Sequence, residues 1–135
     1  MSAFGALAQD VGGVEGACPC GTGSSYADCC RPLHEGAANA ESAVRLMRSR
    51  YSAYVVGDAA YLLRTWHPRT RPADLDVSDG PAWQGLTVIA VDDGRDSDSV
   101  GEVEFEAVHD HGVVHERSRF VKRAGRWVYV DGRVD

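Results

Sequence analysis

Cysteine is confined to one short stretch of this 135-residue chain, and none follows Cys30. Lysine is nearly missing: Lys122 stands alone among 14 basic residues, and 20 acidic residues leave a net charge of −6. That balance excludes a broad basic footprint for nucleic acid or for an anionic membrane surface. No run approaches the roughly 20 apolar residues that cross a bilayer. The start, Met1-Ser-Ala-Phe-Gly-Ala-Leu-Ala-Gln-Asp10, has neither the basic leader nor the apolar stretch of a signal peptide. A soluble cytoplasmic protein is the expectation. There is no Walker loop, no dinucleotide fingerprint and no Gly-x-Ser-x-Gly elbow, so nucleotide hydrolysis, hydride transfer and serine acyl transfer lack their machinery. What is present is an ordinary globular composition, 44% hydrophobic and 25% charged, enough for one compact domain with a short appendage.

All four cysteines lie in Cys18-Pro-Cys20 and Cys29-Cys30, separated by the small, polar segment Gly21-Thr-Gly-Ser-Ser-Tyr-Ala-Asp28. A short loop of this kind can fold back and bring both thiolate pairs onto one ion. Zinc, one ion per chain, is the expected cofactor, because it accepts four sulfur ligands without a geometric preference of its own. Four thiolates and one zinc carry a formal charge of about −2, which backbone amides turned by Gly21 and Gly23, together with Arg31, are expected to offset. A complete ligand set leaves no position for water, so the ion is read as structural. Disulfides between the pairs, idle thiols or an iron–sulfur cluster are the alternatives.

The segment Cys18-Pro-Cys-Gly-Thr-Gly-Ser-Ser-Tyr-Ala-Asp-Cys-Cys30 resembles the SEC-C motif, the zinc module at the C-terminus of the SecA translocation motor. The remainder resembles the bacterial YchJ-like family, in which such a module precedes an NTF2-like domain. That likeness rests on Leu46-Met-Arg-Ser-Arg-Tyr51, Tyr61-Leu-Leu-Arg-Thr-Trp-His-Pro68, Trp83-Gln-Gly-Leu86, Glu116-Arg-Ser-Arg-Phe120 and Trp127-Val-Tyr-Val-Asp-Gly132. It implies a cone in which a curved sheet wraps a long helix, with a pocket between them. It also implies a binding or adaptor role, since the SecA module contacts a chaperone and the ribosome. A protein partner, or alternatively nucleic acid or the ribosome, is then expected at Ser24, Ser25, Tyr26 and Arg31. A homodimer formed through the sheet is a further expectation of the NTF2-like resemblance.

Residues 1–16 are small, Gly-rich and aperiodic and read as a flexible tail, residues 17–36 as the cysteine module, and residues 37–135 as the main domain. Within these, residues 31–40 read as a linker whose Asn39 caps a helix over 41–56. Val44, Met47, Tyr51, Tyr54 and Val55 mark its buried face, and Gly57 its end. Asp58 caps a shorter helix that ends near His67, before Pro68. After a polar connection at 68–82 the period changes to two, which predicts strands near 84–91, 100–110, 113–122 and 126–131. Helices followed by an antiparallel meander give an α+β architecture. A two-residue turn at His111-Gly112 sets Glu104 opposite Arg119 and Glu106 opposite Arg117 on a charged face. It sets Val103 opposite Phe120 and Phe105 opposite Ser118 on an apolar one.

Pocket candidates are Arg50, Tyr51, Tyr54, Trp66, His67, Trp83, Phe105, Arg119, Phe120 and Tyr129, although core packing is the commoner role of such aromatics. His67 is the single candidate for acid–base chemistry, with Asp74, Asp76 or Asp79 as a carboxylate partner; helix capping is its structural alternative. A small-molecule binding protein or acid–base enzyme using this pocket is therefore the second functional class, and a non-enzymatic role the first. His109, His111 and His115 do not form a metal cluster in such a hairpin, and Asp92-Asp-Gly-Arg-Asp-Ser-Asp-Ser99 lacks the ligand positions of a calcium loop.

Overall fold

The computed structural model describes residues 16–135, so the expected tail lies outside them except for Gly16. A 3-10 turn at Tyr26–Asp28 and a helix α1 at Arg31–His34 come first. Helix α1 occupies part of the segment read as a linker. Pro32 suits its first turn, and Arg64 donates to the carbonyls of Leu33 (3.2 Å) and His34 (2.7 Å) at its end. Helix α2 spans Ala43–Val56 and α3 Ala59–Arg64. Ser42, not Asn39, caps α2: its backbone is extended and its hydroxyl accepts from Arg45 N at 3.1 Å. The helix accordingly starts two residues later than the periodicity suggests. Gly57 ends it in the left-handed conformation, and Asp58 caps α3 by accepting from Tyr61 N at 3.0 Å.

Strands β1 (Trp83–Asp93), β2 (Val100–His109), β3 (Gly112–Arg123) and β4 (Arg126–Val134) form one antiparallel sheet in the order β1-β2-β3-β4. The α+β class is as expected, with α2 packed on the sheet and α3 packed against α2. The β2–β3 register differs by two residues from the expectation. Asp110 and His111 make the turn and His109 faces Gly112, so Glu102 lies opposite Arg119, Glu104 opposite Arg117, Val103 opposite Ser118 and Phe105 opposite Glu116. The turn is held here because Asp110 pairs with Ala82: its amide donates to Ala82 O (3.1 Å) and its carboxylate accepts from Ala82 N (3.2 Å). A shift of two preserves which face each side chain takes, so the charged and apolar faces come out as predicted while every partner changes. Glu116, on the inner face in either register, comes to lie opposite Phe105 and not Ala107.

The central core is Ala43, Leu46, Met47, Val103, Phe120 and Trp127. A second cluster, Leu33, Ala53, Tyr61 and Leu62, lies between α1, α2 and α3. Helix α2 is buried on more than one stripe. Ser49, Arg50 and Ser52 are buried beside Leu46, Met47 and Tyr51, whereas Val55, expected inside, is 36% exposed. Three bodies pack around α2: the sheet, the α1–α3 pair and the cysteine segment.

The N-terminus of α2 docks where the backbone of the β1–β2 hairpin comes closest. Ala43 N donates to Gly94 O at 2.8 Å, and a Cβ on Gly101 would stand 2.5 Å from Gly94 Cα and 3.1 Å from Ala43 Cβ. Only a residue without a side chain fits at this crossing. Gly101→Ala is expected to cost about 2 kcal/mol through overpacking, while Gly85→Ala, with open space around it, stays within about 0.5 kcal/mol of wild type. Urea unfolding of both variants checks this.

Candidate functional site

The cysteine loop is closed by its own backbone. Cys18 N donates to Ser24 O (2.8 Å), Tyr26 N to Gly16 O (2.9 Å), and Ala17 bridges Ser25. This brings the sulfurs of Cys18, Cys20, Cys29 and Cys30, all buried, within 4.8 Å of one another. The Cys20–Cys29 separation is 3.6 Å and the Cys29–Cys30 separation 4.0 Å. A tetrahedron with metal–sulfur bonds of about 2.3 Å has edges of about 3.8 Å, so the four thiols match a closed tetrathiolate metal site.

Helix α2 supplies its surroundings. Arg45 Nη1 donates to Cys30 Sγ at 3.5 Å and its Nη2 to Cys29 O, while Arg48 Nη1 donates to Cys20 O at 2.6 Å. Ser52 Oγ lies 3.5 Å from Cys18 Sγ, and Thr22 Oγ1 lies 3.2 Å from Cys29 Sγ. Arg31, expected to offset the thiolate charge, is instead engaged with Glu35 (3.8 Å) and lies over the Tyr26 ring. The cationic partners that sequence reasoning missed are Arg45 and Arg48. Their signal was the polar stripe Arg45, Arg48, Ser52 at helical spacing on a helix read only for its apolar stripe.

Tyr26 was expected on an exposed contact surface but is 6% exposed. Its hydroxyl donates to His34 Nδ1 at 2.7 Å, and His34 Nε2–H donates to Ser49 O at 2.8 Å, since a carbonyl only accepts. Tyr61 OH meets Ser49 Oγ at 2.7 Å, completing a buried polar chain from the cysteine loop to α3. Burial pushes the Tyr26 hydroxyl up to about 12, so it remains a donor. Of the expected contact residues, Ser24 is exposed, and Ser25 and Arg31 are half-buried.

On the opposite side of α2, between the helix and the inner face of the sheet, lies a cavity of about 270 Å³. Of the sequence candidates, Arg50, Tyr51, Tyr54 and Trp66 border it from the helical side. Trp83, Phe105, Phe120 and Tyr129 border it from the sheet. Met47, Ala107, Val114, Glu116 and Ser118 complete the wall. Arg50 is 6% exposed; its guanidinium lies between Trp66 (4.9 Å) and Tyr129 (4.7 Å), and Nη1 donates to Leu62 O (2.8 Å) and Thr65 Oγ1 (2.7 Å). Burial lowers its pKa from the usual guanidinium value. Facing it from β3, Glu116 Oε2 accepts from Ser118 (2.7 Å) and from the Tyr129 hydroxyl (3.4 Å), whose pKa burial raises.

Two candidates fall outside this cavity. Arg119 is on the outer face, 59% exposed, with a bidentate pair to Asp131 at 2.7 and 2.8 Å. His67 sits in the turn after α3: its amide donates to Tyr129 O (2.8 Å) and its Nδ1 accepts from Arg69 N (3.0 Å). It neither borders the cavity nor caps the helix, which ends at Arg64 because Thr65 already leaves the helical conformation. Asp76 is turned to Ser78, and none of Asp74, Asp76 and Asp79 borders the cavity. His109 stacks edge-on against Trp83, whereas His115 pairs with Glu104 (2.6 Å) on the outer face.

Comparison with known proteins agrees with this geometry. The profile of the YchJ middle NTF2-like domain matches residues 42–132. A UPF0225 protein of Streptomyces coelicolor is 54% identical over 115 residues, which cover 85% of this chain and 93% of the relative. The chain belongs to the YchJ-like UPF0225 family. Within this family, a UPF0225 protein of Deinococcus radiodurans is 46% identical over 114 residues, 84% of this chain and 86% of the relative. The solution structure of a SEC-C motif containing protein from Rhodopseudomonas palustris superposes with a TM-score of 0.77 at 35% identity, covering 87% of this chain and 98% of that one. The crystal structure of a SEC-C motif containing protein from Psychrobacter arcticus gives 0.71 at 31% identity, covering 87% and 82%. The YchJ-like chain thus combines an NTF2-like domain with a cysteine cluster suited to a metal. No helix among its described residues is long and apolar enough to cross a membrane.

The buried His34 makes the join between these parts sensitive to acid. Burial lowers its folded pKa below the ordinary 6.5, so the neutral ring belongs to the folded state and the unfolded chain takes up the proton first. Stability from this group is complete above about pH 6.5 and is lost as the pH falls below it. His34→Gln is expected to lower stability at pH 7.5 but to lose less than wild type between pH 7.5 and 5.5, measured by urea midpoints.

Proposed function

We propose that this chain is a zinc-stabilised small-molecule-binding protein, in which a structural ion held by the four cysteines keeps α2 in place and the aromatic cavity receives the ligand. The observation that carries the reading is the cavity of about 270 Å³, which has a buried guanidinium and a carboxylate set among aromatic side chains. Concave, mainly apolar sites with a few converging polar groups are where small ligands bind. Core packing alone gives no reason to keep Arg50 and Glu116 on that wall.

The metal assignment follows from the donor set. Four thiolates at tetrahedral separations suit zinc and leave no open position for substrate, and their need for a reducing compartment supports a cytoplasmic location. Zinc, when bound, supplies folding free energy here and no reacting group. The protein's own residues do the rest: Arg45 and Arg48 offset the thiolate charge, and the Tyr26–His34–Ser49 chain transmits the position of the loop to α2. The rim of the loop at Ser24, Ser25 and Arg31 is where a macromolecular partner would sit.

Native mass spectrometry of the untagged protein is expected to give one zinc ion. Structural zinc contributes on the order of 10 kcal/mol to small modules. Chelation is therefore expected to remove amide-exchange protection from residues 17–36 and from the Arg45–Ser52 part of α2, leaving the β-meander protected. Unchanged protection after complete metal removal would sink the structural role. Val114→Phe, which fills the cavity from β3, is expected to preserve the fold and weaken binding of aromatic fragments by about ten-fold or more, read by ligand-detected NMR. Absence of any fragment binding, combined with a co-purifying macromolecule lost on Arg31→Ala, would move the function to the loop rim.

A further inference from the structure

The two charged groups in the cavity are not paired with each other. Arg50, which borders the cavity, directs Nη1 to Leu62 O and Thr65 Oγ1, and its Nη2 and Nε donate to no protein atom among the described residues. Glu116 receives both hydroxyls on Oε2, and Oε1 accepts nothing among the described residues. The position of this carboxylate is built into the sheet. Gly132 lies opposite Ser118 across β3 and β4, and a Cβ on Gly132 would collide with the Glu116 carboxylate. One wall therefore offers charged donors and another an anionic acceptor, with a net charge of zero between them.

This balance selects the ligand. A free carboxylic acid gains at Arg50 but meets the like charge of Glu116, and an ammonium group has the reverse conflict; in a low-dielectric site each conflict is costly. A neutral molecule with an acceptor and a donor gains at both places, and its hydrogen bonds there are charge-assisted. The rings of Tyr51, Tyr54, Trp83 and Phe105 favour a flat π-system over an aliphatic one. The volume, about 270 Å³, lies just below the usual range of ligand pockets, about 300 to 1,000 Å³, and suits one or two rings.

We infer that the cavity binds an uncharged, planar heterocycle of one or two rings, its carbonyl accepting from Arg50 and its ring N–H donating to Glu116 Oε1. This rests on the reading of the cavity as a ligand site. Glu116 is then the residue that excludes anionic aromatics, and Gly132 the residue that positions it.

The test uses the full, metal-loaded chain and three two-ring probes of similar shape, quinolin-2-one, 2-naphthoate and 2-naphthylmethylammonium, titrated by 1H–15N NMR. Quinolin-2-one is expected to bind at least about ten-fold more tightly than either ion. Glu116→Gln, nearly isosteric, is expected to raise 2-naphthoate affinity by about ten-fold, because Arg50 loses its compensating charge. Gly132→Ala, which displaces the carboxylate without removing it, is expected to weaken quinolin-2-one; it also serves as the second variant if Glu116→Gln fails to fold. A wild-type preference for 2-naphthoate, or a ranking unchanged in Glu116→Gln, would overturn the inference. Equal binding of all three probes would overturn it while leaving the cavity a ligand site. Binding of none, with the cavity-lining resonances unmoved, would overturn both.

Discussion

A helix buried round most of its circumference has no side for water, so each polar group it carries must find a partner inside the protein. Helix α2 is under this constraint, and the surrounding architecture follows from it. Arg45, Arg48 and Ser52 turn to the cysteine loop, Ser49 to His34 and Tyr61, and Arg50 to Leu62, Thr65 and the cavity. Met47 and Tyr51 face the sheet side. The cysteine segment is therefore more than an appended knob. It covers a polar stripe of α2 that the sheet cannot cover, while α2 supplies the cations that a tetrathiolate needs.

The same arrangement separates two kinds of chemistry. On one side of α2, donors converge on the carbonyls of the loop and on four buried thiols whose sulfurs lie within 4.8 Å of one another. On the other side, a guanidinium held between two aromatic rings looks across a cavity to a carboxylate held by two hydroxyls. The two sites share a helix, so a change at the cysteine cluster would reach the cavity through the position of α2. The outer face of the sheet repeats the charge pattern in a solvated setting, where Arg117 meets Asp92, Glu102 and Glu104, and Arg119 meets Asp131. Such exposed pairs contribute little to stability, and their value is in keeping that face polar.

Local signals in the chain were read correctly wherever the deciding physics was local. Gly57 ends α2, Asp58 caps α3, and the gap between the strands expected near 113–122 and 126–131 holds the turn from β3 to β4, with positive φ at Ala124 and Gly125. The structure departs from the local signals where a distant partner decides. Ser42 caps α2 in place of Asn39, at the point where Ala43 docks on Gly94. The β2–β3 turn moved to Asp110-His111 because Ala82, 28 residues away in sequence, holds Asp110 on both sides. Tyr26 looked like an exposed aromatic in a polar loop until His34 gave its hydroxyl a buried acceptor.

By itself the sequence determined the element order, the two faces of the sheet, the clustering of four cysteines and most of the aromatic wall. These depend on spacing, on period and on the short reach of a 13-residue segment. Only the tertiary structure decided that Arg45 and Arg48, and not Arg31, serve the cysteines, that Arg119 pairs with Asp131 and Arg117 with Glu104, and that Glu116 stands opposite Phe105 on the cavity wall. For the helix the reason is packing that brings α2 against the cysteine loop, and for the strands it is register: a shift of two residues leaves the faces of a strand unchanged but replaces every cross-strand partner.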